Sequence, residues 1–292
     1  MDIALTFAVS DELLRKCQEI TMMKTYINSA GEGDIEIVAN RYFITPRTKM
    51  IQCIYGSLEN LDLRGISESV KVCKNAGAFA DSVSEHVFAM LLPLIRKISY
   101  YNSRTHRKIF KKETVETLQG KTIGILGYGG VGSRIASIAK DFGMNIVAYT
   151  RSPKDDPNVS QYYQSVSKLL PECDILLISL PPTKRTYNII KSDQLSLFSG
   201  NIIINISAPD VIKKEDLLWY LKRFPEKYYL TDVWWGEPLI NESIPENCVL
   251  TPHMAGDAPG EFEKAVLLAC HSVRNYVDGI TENIVDPREY TD

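Results

Sequence analysis

The sequence predicts an α/β protein of two domains, each built on a mostly parallel β-sheet. Short runs rich in valine, isoleucine and leucine alternate with helical patterns along the chain. Strands with this composition are typical of parallel sheets that helices cover on both faces. A helical stretch from about Asp81 to Lys111 divides the runs into two sets, and 292 residues are enough for two ordinary domains.

The predicted strands fall before residue 75 and after residue 120. In chain order they are DIALTFAV, IEIVAN, MIQCIYG and VKVC, followed by TIGILGYG, NIVAYT, DILLISLP, NIIINIS, YYLTDVW and CVLTP. The stretch from Asp81 to Lys111 is expected to be a long helical connection between the two domains. A further helical pattern, Gly260 to Asp278, follows the last strand and could return the chain to the first domain.

Composition argues against several classes of protein. Apolar residues make up 45% and charged residues 24%, and the formal net charge is -3. This balance indicates a globular protein without a strong attraction to nucleic acid or to an anionic membrane. The apolar run from Val87 to Ile95 is interrupted by Pro93 and is too short to span a bilayer. Asp2 and an immediate strand pattern argue against a signal peptide.

Cysteine and histidine usage points to a reduced, metal-free protein. The six cysteines are scattered without a CxxC pair, and several lie in apolar runs, where a thiol behaves as a small hydrophobe. We therefore expect a cytoplasmic location. The four histidines show no metal-ligand spacing with one another or with cysteine.

A glycine-rich motif predicts a dinucleotide site. In GILGYGGVGSRIA, three glycines form G-x-G-x-x-G between a strand and a helix. The first would allow a tight turn, the second a close approach of backbone to a pyrophosphate, and the third close packing of helix and strand. Free N–H groups of the helix then face the phosphates. The predicted residues are Gly127, Tyr128, Gly129, Gly130, Val131 and Gly132.

The end of the next strand bears on which cofactor binds. NAD-specific proteins place an acid there, which binds the ribose hydroxyls, but this chain has Thr150, Arg151 and Ser152. A cation beside hydroxyl groups suits a 2′-phosphate, so we expect NADP rather than NAD. In the alternative, Arg151 is a solvated surface charge and NAD binds with one hydrogen bond fewer.

An acid–base pair is expected near the end of the second set of strands. His253 follows a strand in VLTPHMAG, and Glu237 follows the preceding strand in TDVWWGEPL. A carboxylate next to an imidazole fixes its tautomer and raises its pKa, as a proton-transferring histidine requires. A lone histidine would more commonly be structural, so the hypothesis depends on this partner.

These motifs together resemble the D-isomer-specific 2-hydroxyacid dehydrogenases, which include glycerate dehydrogenases and glyoxylate/hydroxypyruvate reductases. NAGAFADSVSEHVFAMLLPLIR is similar to the family's helix between domains, and GILGYGGVG, ISLPPTKRTYNII, IINIS, TDVWWGEPL and LTPHMAG follow in the family's order. The resemblance implies a Rossmann-type NAD(P)-binding domain, residues 99–269, inserted into a substrate domain of residues 1–98 and 270–292. It also implies a homodimer.

The resemblance carries functional roles onto particular residues. His253 matches the acid/base histidine, Glu237 its glutamate partner, and Asp232 an acid near the nicotinamide carboxamide. Ser57 and Leu58 fall where family backbone holds the substrate carboxylate, and Arg41 matches a loop arginine that reaches substrate in some members. Arg41 is equally consistent with a solvated charge. The remaining predicted cofactor contacts are Leu180, Pro181, Thr186, Ile206, Ser207, Ala208, Ala255, Gly256 and His253 itself.

One position departs from the family pattern. The segment INISAPD has Ala208 where the family carries an arginine that binds the substrate's carboxylate and keto oxygen, and Pro209 follows it. Removing one partner of a buried charge pair costs about 2–5 kcal/mol. The sequence therefore leaves two hypotheses: a hydride-transferring reductase of small 2-oxo acids that uses another cation, or a catalytically weak dinucleotide sensor. His253 and Glu237 favour the enzyme, whereas Ala208 favours the sensor.

Overall fold

The computed structural model describes residues 1–59, 61–153 and 155–290, and these residues form two compact units. The first unit comprises residues 1–79, 182–185 and 257–292, and the second comprises residues 80–181 and 186–256. The first unit begins with β1 (Ile3–Leu5), α1 (Asp11–Thr21), β2 (Thr25–Ile27), β3 (Ile35–Val38), β4 (Met50–Cys53) and β5 (Lys71–Cys73).

The second unit carries most of the helices. Its elements are α2 (Ala80–Ile95), α3 (Ile98–His106), β6 (Thr122–Leu126), α4 (Gly130–Asp141), β7 (Asn145–Tyr149), β8 (Gln161–Tyr163), α5 (Val166–Leu169), β9 (Ile175–Ile178), α6 (Ser192–Leu197), β10 (Ile202–Asn205), α7 (Lys214–Arg223), β11 (Tyr228–Thr231) and β12 (Cys248–Leu250). The chain then returns to the first unit through α8 (Glu261–Val277) and β13 (Ile284–Val285).

Both sheets are parallel apart from one edge, which confirms the predicted fold class. Within the described ranges, the first unit has the strand order β13-β5-β4-β3-β1-β2, and only β13 runs antiparallel to its neighbour. The second unit has the order β12-β11-β10-β9-β6-β7-β8, with every pairing parallel. In such sheets, loops at the carboxyl ends of neighbouring strands lie together and bind ligands.

The central strands are buried because both of their faces are apolar. Ile175–Ile178 and Ile202–Asn205 are buried at every position, as are Ile35–Val38 and Met50–Cys53. In the first unit, α8 packs on α1 and on β3 and β4. Asn75 strengthens this packing, since its Nδ2 donates to the carbonyl oxygens of Ile54 and Ala265.

The helical stretch predicted from Asp81 to Lys111 consists of two helices, α2 and α3, and the second ends at His106. Lys97 adopts a left-handed backbone (φ 50°) between α2 and α3, and this conformation ends an α-helix. The predicted helix from Gly260 to Asp278 is confirmed as α8. None of the helices in the described part of the chain combines the length and apolar character needed to cross a bilayer.

The unit boundaries differ from the predicted domain boundaries. The chain crosses between units near residues 79 and 257, rather than near 98 and 270. The physical reason is packing: α2 lies against α4, and its Val87 and Leu91 belong to the apolar cluster of the second unit. In the same way, Ala269 and Val266 of α8 are buried with the strands of the first unit.

Candidate active site

The glycine-rich turn between β6 and α4 has the geometry of a phosphate-binding loop. Gly127 has a positive φ of 98°, and a Cβ placed there would lie 2.6 Å from the carbonyl oxygen of Ser179. A Cβ on Gly132 would lie 2.3 Å from the carbonyl oxygen of Gly127. Packing within the protein therefore requires glycine at both positions.

Gly129 is different, because the protein itself does not require a glycine there. Its φ and ψ (−91° and −157°) are open to other residues, and an added Cβ would meet no atom within 4 Å. The open space lies at the N-terminus of α4, where N–H groups of the first helical turn, from Gly130 and Val131, are oriented to bind an anion. This is the cradle that a close-lying pyrophosphate needs, so the turn fits a dinucleotide.

Tyr128 contributes structure to the turn rather than an exposed side chain. It is buried, and its hydroxyl donates to Oδ2 of Asp156 at 2.7 Å. Burial and the adjacent carboxylate raise the pKa of Tyr128. The hydrogen bond connects the glycine-rich turn to the segment after β7, so only the backbone of Tyr128 is available to a cofactor.

The residues after β7 lie at the carboxyl edge of the same sheet, since β7 pairs with β6. The hydroxyl of Thr150 accepts the backbone N–H of Ser152 at 3.3 Å, which forms a tight turn. Arg151 and Ser152 are exposed, and no carboxylate occupies the position that follows the strand. The turn thus presents hydroxyl groups and a cation.

The turns after β9 and β10 contact each other. Ser207 Oγ donates to the carbonyl oxygen of Leu180, and Thr186 Oγ1 donates to the carbonyl oxygen of Pro181 at 2.6 Å. Leu180 is buried, whereas Pro181, Ile206 and Ser207 are half-buried. These predicted cofactor residues therefore lie together at one edge of the sheet.

Ala208 lies at the end of this loop and offers no charge. It is 3% exposed and belongs to an apolar cluster of the second unit. Its carbonyl oxygen accepts a hydrogen bond from Asn205 Nδ2 at 3.0 Å, and Pro209 begins a short 3₁₀ helix, Pro209–Val211. In this conformation of the loop, the Ala208 side chain is buried.

The structure brings His253 and Glu237, the predicted acid–base pair, into contact. His253 Nδ1 lies 2.6 Å from Glu237 Oε1, and Glu237 Oε2 accepts the backbone N–H of Trp234 at 3.1 Å. With an ionised Glu237, Nδ1 carries a proton and donates it, which leaves Nε2 to exchange a proton with a ligand. The His253 side chain is 55% exposed, so the ring is accessible to small molecules.

Asp232 binds the backbone that follows the histidine. Its Oδ1 accepts the N–H of Met254 at 3.0 Å, and its Oδ2 accepts the N–H of Ala255 at 2.7 Å. Asp232 is 2% exposed and Ala255 is also buried, whereas Gly256, the last residue of this stretch of the second unit, is half-buried. Within the second unit, the carboxylate of Asp232 thus orders the turn that carries His253. Its predicted place near the nicotinamide stays a prediction.

Three predicted substrate residues belong to the first unit. Arg41 is exposed on the connection from β3 to β4, and Ser57 is half-buried after β4. Leu58 is 1% exposed and packs in an apolar cluster, so only its backbone can face a ligand. A buried carboxylate organises the connection: Glu36 accepts backbone N–H groups from Gly31 and Phe43.

Sequence reasoning missed two residues of the site. Thr251 Oγ1 donates to Asp232 Oδ1 at 2.5 Å, and His86 Nε2 lies 2.9 Å from the same hydroxyl. Thr251 stands two residues before His253, a spacing that could have drawn attention to it. His86 is 165 positions away in the chain, and it had no recognisable signal beyond its place in the SEHVFAM helix.

Fold and site together define a dinucleotide-binding oxidoreductase in which a histidine contacts a carboxylate. A family model described as the NAD-binding domain of the D-isomer specific 2-hydroxyacid dehydrogenases matches residues 88–255. The chain belongs to this family, and it is an oxidoreductase that acts on CH–OH groups and binds a nicotinamide dinucleotide.

Individual relatives agree with this assignment. The chain is 30% identical to a glyoxylate reductase of Thermococcus litoralis over 87% of its own length and 79% of the relative's. A crystal structure of a glycerate dehydrogenase related protein from Thermoplasma acidophilum is 36% identical, with a TM-score of 0.72 over 95% of this chain and 100% of that one. The PH0520 protein from Pyrococcus horikoshii is 25% identical, with a TM-score of 0.81 over 98% and 95%.

Proposed function

We propose that this enzyme reduces a small 2-oxo acid of the glyoxylate or hydroxypyruvate type to its D-2-hydroxy acid. The observation that carries the proposal is the 2.6 Å contact between His253 Nδ1 and Glu237 Oε1. A protein that only senses cofactor has no use for an imidazole whose tautomer a carboxylate fixes. A reductase needs one, because the oxygen of the reduced carbonyl must receive a proton.

Different residues of the chain would bind the cofactor and transfer the proton. When bound, the nicotinamide dinucleotide supplies or accepts the hydride. The backbone at Gly129 and the N-terminus of α4 would hold its pyrophosphate, and the turns at Leu180 and Ser207 would flank it. His253 donates a proton from Nε2 to the developing alkoxide, and Glu237 stabilises the charged imidazole before the transfer.

NADP(H) is the cofactor that the turn after β7 favours. Thr150 and Ser152 offer hydroxyl groups and Arg151 offers a cation, whereas the carboxylate that would repel a 2′-phosphate is absent from the turn. Thr150→Asp should therefore reverse the preference. The dissociation constants of NADPH and NADH, measured for wild type and variant, check this, and tighter binding of NADH by wild type would contradict it.

Ala208 raises the question of which group neutralises the substrate carboxylate. Arg41 is a candidate, because it is exposed on a connection that Glu36 orders. If Arg41 serves this role, Arg41→Ala should raise the KM for 2-oxo acid by about tenfold or more. If neither Arg41 nor another cation serves, the chain is a weak catalyst, and the dinucleotide sensor becomes the better description.

A substrate screen separates the two functions. Purified protein is assayed with NADPH and NADH against glyoxylate, hydroxypyruvate, pyruvate and larger 2-oxo acids, with His253→Gln as the inactive control. We expect turnover by wild type and none by the variant. Binding of NADPH without turnover of any 2-oxo acid would replace the enzyme with the sensor.

The loop at Ala208 provides a second arm of the test. Because the Ala208 side chain is buried, Ala208→Arg is combined with Pro209→Gly, which frees the backbone so that the new cation can turn out of the apolar cluster. Ala208→Met with Pro209→Gly adds similar length without charge. The arginine variant should gain about tenfold or more in kcat/KM over the methionine variant if the pocket lacks a cation. If Arg41 already supplies the charge, the two variants should have equal activity. The cytoplasmic location and the homodimer stay predictions.

A further inference from the structure

A series of partly buried hydrogen bonds leads from α2 to the turn that carries His253. Thr251 Oγ1 lies 2.5 Å from Asp232 Oδ1 and 2.9 Å from His86 Nε2. A hydroxyl has one proton, and an ionised carboxylate can only accept. The proton of Thr251 therefore goes to Asp232, and His86 must donate from Nε2 to the threonine oxygen.

The series is buried at Asp232 and partly exposed at His86 and Thr251. The side chain of Asp232 is 3% exposed and that of His86 is 17% exposed. His86 Nε2 also lies 3.6 Å from Asp232 Oδ1, so any positive charge on the ring faces the carboxylate directly. Buried networks of this kind are rigid when every member has its partner.

The far end of the series fixes the backbone beside His253. Asp232 accepts the N–H groups of Met254 and Ala255, the two residues that follow the histidine. On the other side, the N–H of His253 donates to the carbonyl oxygen of Thr251 at 3.0 Å. Bonds on both sides of His253 thus converge on Thr251 and Asp232.

His253 needs this support because its backbone is strained. Its φ is 53°, a left-handed conformation that a residue with a Cβ rarely adopts. Such a conformation persists only where the surrounding structure imposes it. Without the bonds to Asp232 and Thr251, the backbone would relax and move the ring away from Glu237.

We propose that His86 is a positioning residue for His253, acting through Thr251 and Asp232 to hold the proton-transfer pair in contact. The hydrogen bond of His86 goes to Thr251 rather than to the pair itself. Its hydrogen bond orients the Thr251 hydroxyl, which orients the carboxylate, which holds the two N–H groups beyond the histidine. The proposal deepens the proposed function and rests on it for the activity measurement alone.

The first test compares variants that break or retain the series. His86→Leu and Thr251→Val remove one hydrogen bond each, whereas His86→Gln and Thr251→Ser keep a donor or a hydroxyl in place. We expect kcat to fall about tenfold or more in the first pair, with a smaller change in the KM for 2-oxo acid, and to recover substantially in the second. The double variant His86→Leu/Thr251→Val should be little worse than either single variant.

A matched control guards against a general effect of losing a histidine from a helix. His271→Leu makes the same replacement at an exposed position of α8, and it should leave kcat unchanged. If His86→Leu fails to fold, Thr251→Val carries the same prediction, because valine matches threonine in shape. Wild-type kcat in folded Thr251→Val would overturn the proposal.

The second test does not need catalysis. Titration of His253 by NMR, with its signal assigned through His253→Gln, reports whether the ring still meets Glu237. A longer contact weakens the carboxylate's hold on the proton, so the pKa of His253 should fall by about half a unit or more in Thr251→Val. An unchanged titration in the folded variant overturns the proposal, even if kcat falls. A shifted titration in a chain that reduces no 2-oxo acid would uphold the positioning role while the proposed function fails.

Discussion

His253 and Glu237 form the residue pair on which the proposed chemistry depends. Replacing His253 with glutamine keeps a polar side chain but removes the exchangeable proton, so kcat for reduction should fall at least about 100-fold. The dissociation constant of NADPH should change little, because the turns predicted to hold the pyrophosphate and the ribose lie on other loops. Steady-state kinetics together with a binding titration check this, and unaltered turnover would show that another group protonates the alkoxide.

Glu237→Gln tests the same pair through pH. Reduction requires protonated His253, so the rate falls as pH rises through the pKa of that imidazole. Without the carboxylate the pKa drops, and the fall in rate should move to lower pH. The pH profile of kcat for wild type and variant measures the displacement. A profile that moves to higher pH, or stays in place, would contradict the role of Glu237.

Glu36 makes a further residue-scale prediction, in the first unit. Burial raises the pKa of its carboxyl, an effect that the backbone N–H groups of Phe43 and Gly31 partly oppose. A raised folded-state pKa means that folding disfavours ionisation. The stability contributed by the protonated form is therefore complete below the unfolded-state pKa, and it is lost as pH rises through the folded-state pKa.

The variant Glu36→Gln cannot ionise and should lack this dependence. Across the interval between the two pKa values, wild type should lose stability relative to the variant as pH rises, and the difference should level off above it. Urea unfolding at a series of pH values measures this, with the exposed Glu32→Gln as a matched control. A difference in free energy of unfolding that moves the opposite way would contradict the buried-carboxyl assignment.

At the scale of elements, glycines of one turn serve separate purposes. Gly129→Ala places a methyl group in open space, so stability should change by less than about 1 kcal/mol, whereas NADPH affinity should fall about tenfold or more. Gly132→Ala forces a Cβ against the carbonyl oxygen of Gly127 at 2.3 Å. It should destabilise the protein by about 1–3 kcal/mol.

Thermal unfolding without cofactor and a binding titration with it separate the two effects. We expect Gly129→Ala to bind NADPH more weakly while its melting temperature stays close to that of wild type. Gly132→Ala should have a lower melting temperature. Equal NADPH affinity of wild type and Gly129→Ala would mean that the open space at α4 does not receive the pyrophosphate.

The elements that sequence predicted best are those with a strong apolar signal. Central strands such as β9 and β10 read as unbroken apolar runs because both faces are buried. The edge strands β2, β8 and β13 were not predicted, since two or three residues leave too little pattern to recognise. The break at Lys97 was missed because neither glycine nor proline marks it.

The candidate site divides in the same way. The glycine turn and the His253–Glu237 pair were predictable because their residues stand in motifs with fixed local spacing. The link from His86 to Thr251 was not, because only the packing of α2 beside β12 brings them together. Ala208 was noticed as a missing charge, but its burial in the core depends on neighbours that the local sequence does not reveal.

At the scale of the whole molecule, the two units are expected to respond differently to cofactor. Every predicted contact for the dinucleotide lies in the second unit, including Gly129, Arg151 and Ser207. A ligand that binds only the folded state stabilises it by about 2.7 kcal/mol at one hundred times its dissociation constant. Local opening at the binding turns should be suppressed most strongly.

Hydrogen exchange with mass spectrometry tests this on the full chain. NADPH should slow exchange in peptides that cover residues 127–133, 150–152 and 206–208, with Gly129→Ala as the control that removes the effect. Protection confined to residues 1–79 would contradict the assignment of the cofactor to the second unit. The second unit also carries His253 and Glu237. In Gly129→Ala, protection from hydrogen exchange and turnover should therefore depend on NADPH concentration in the same way.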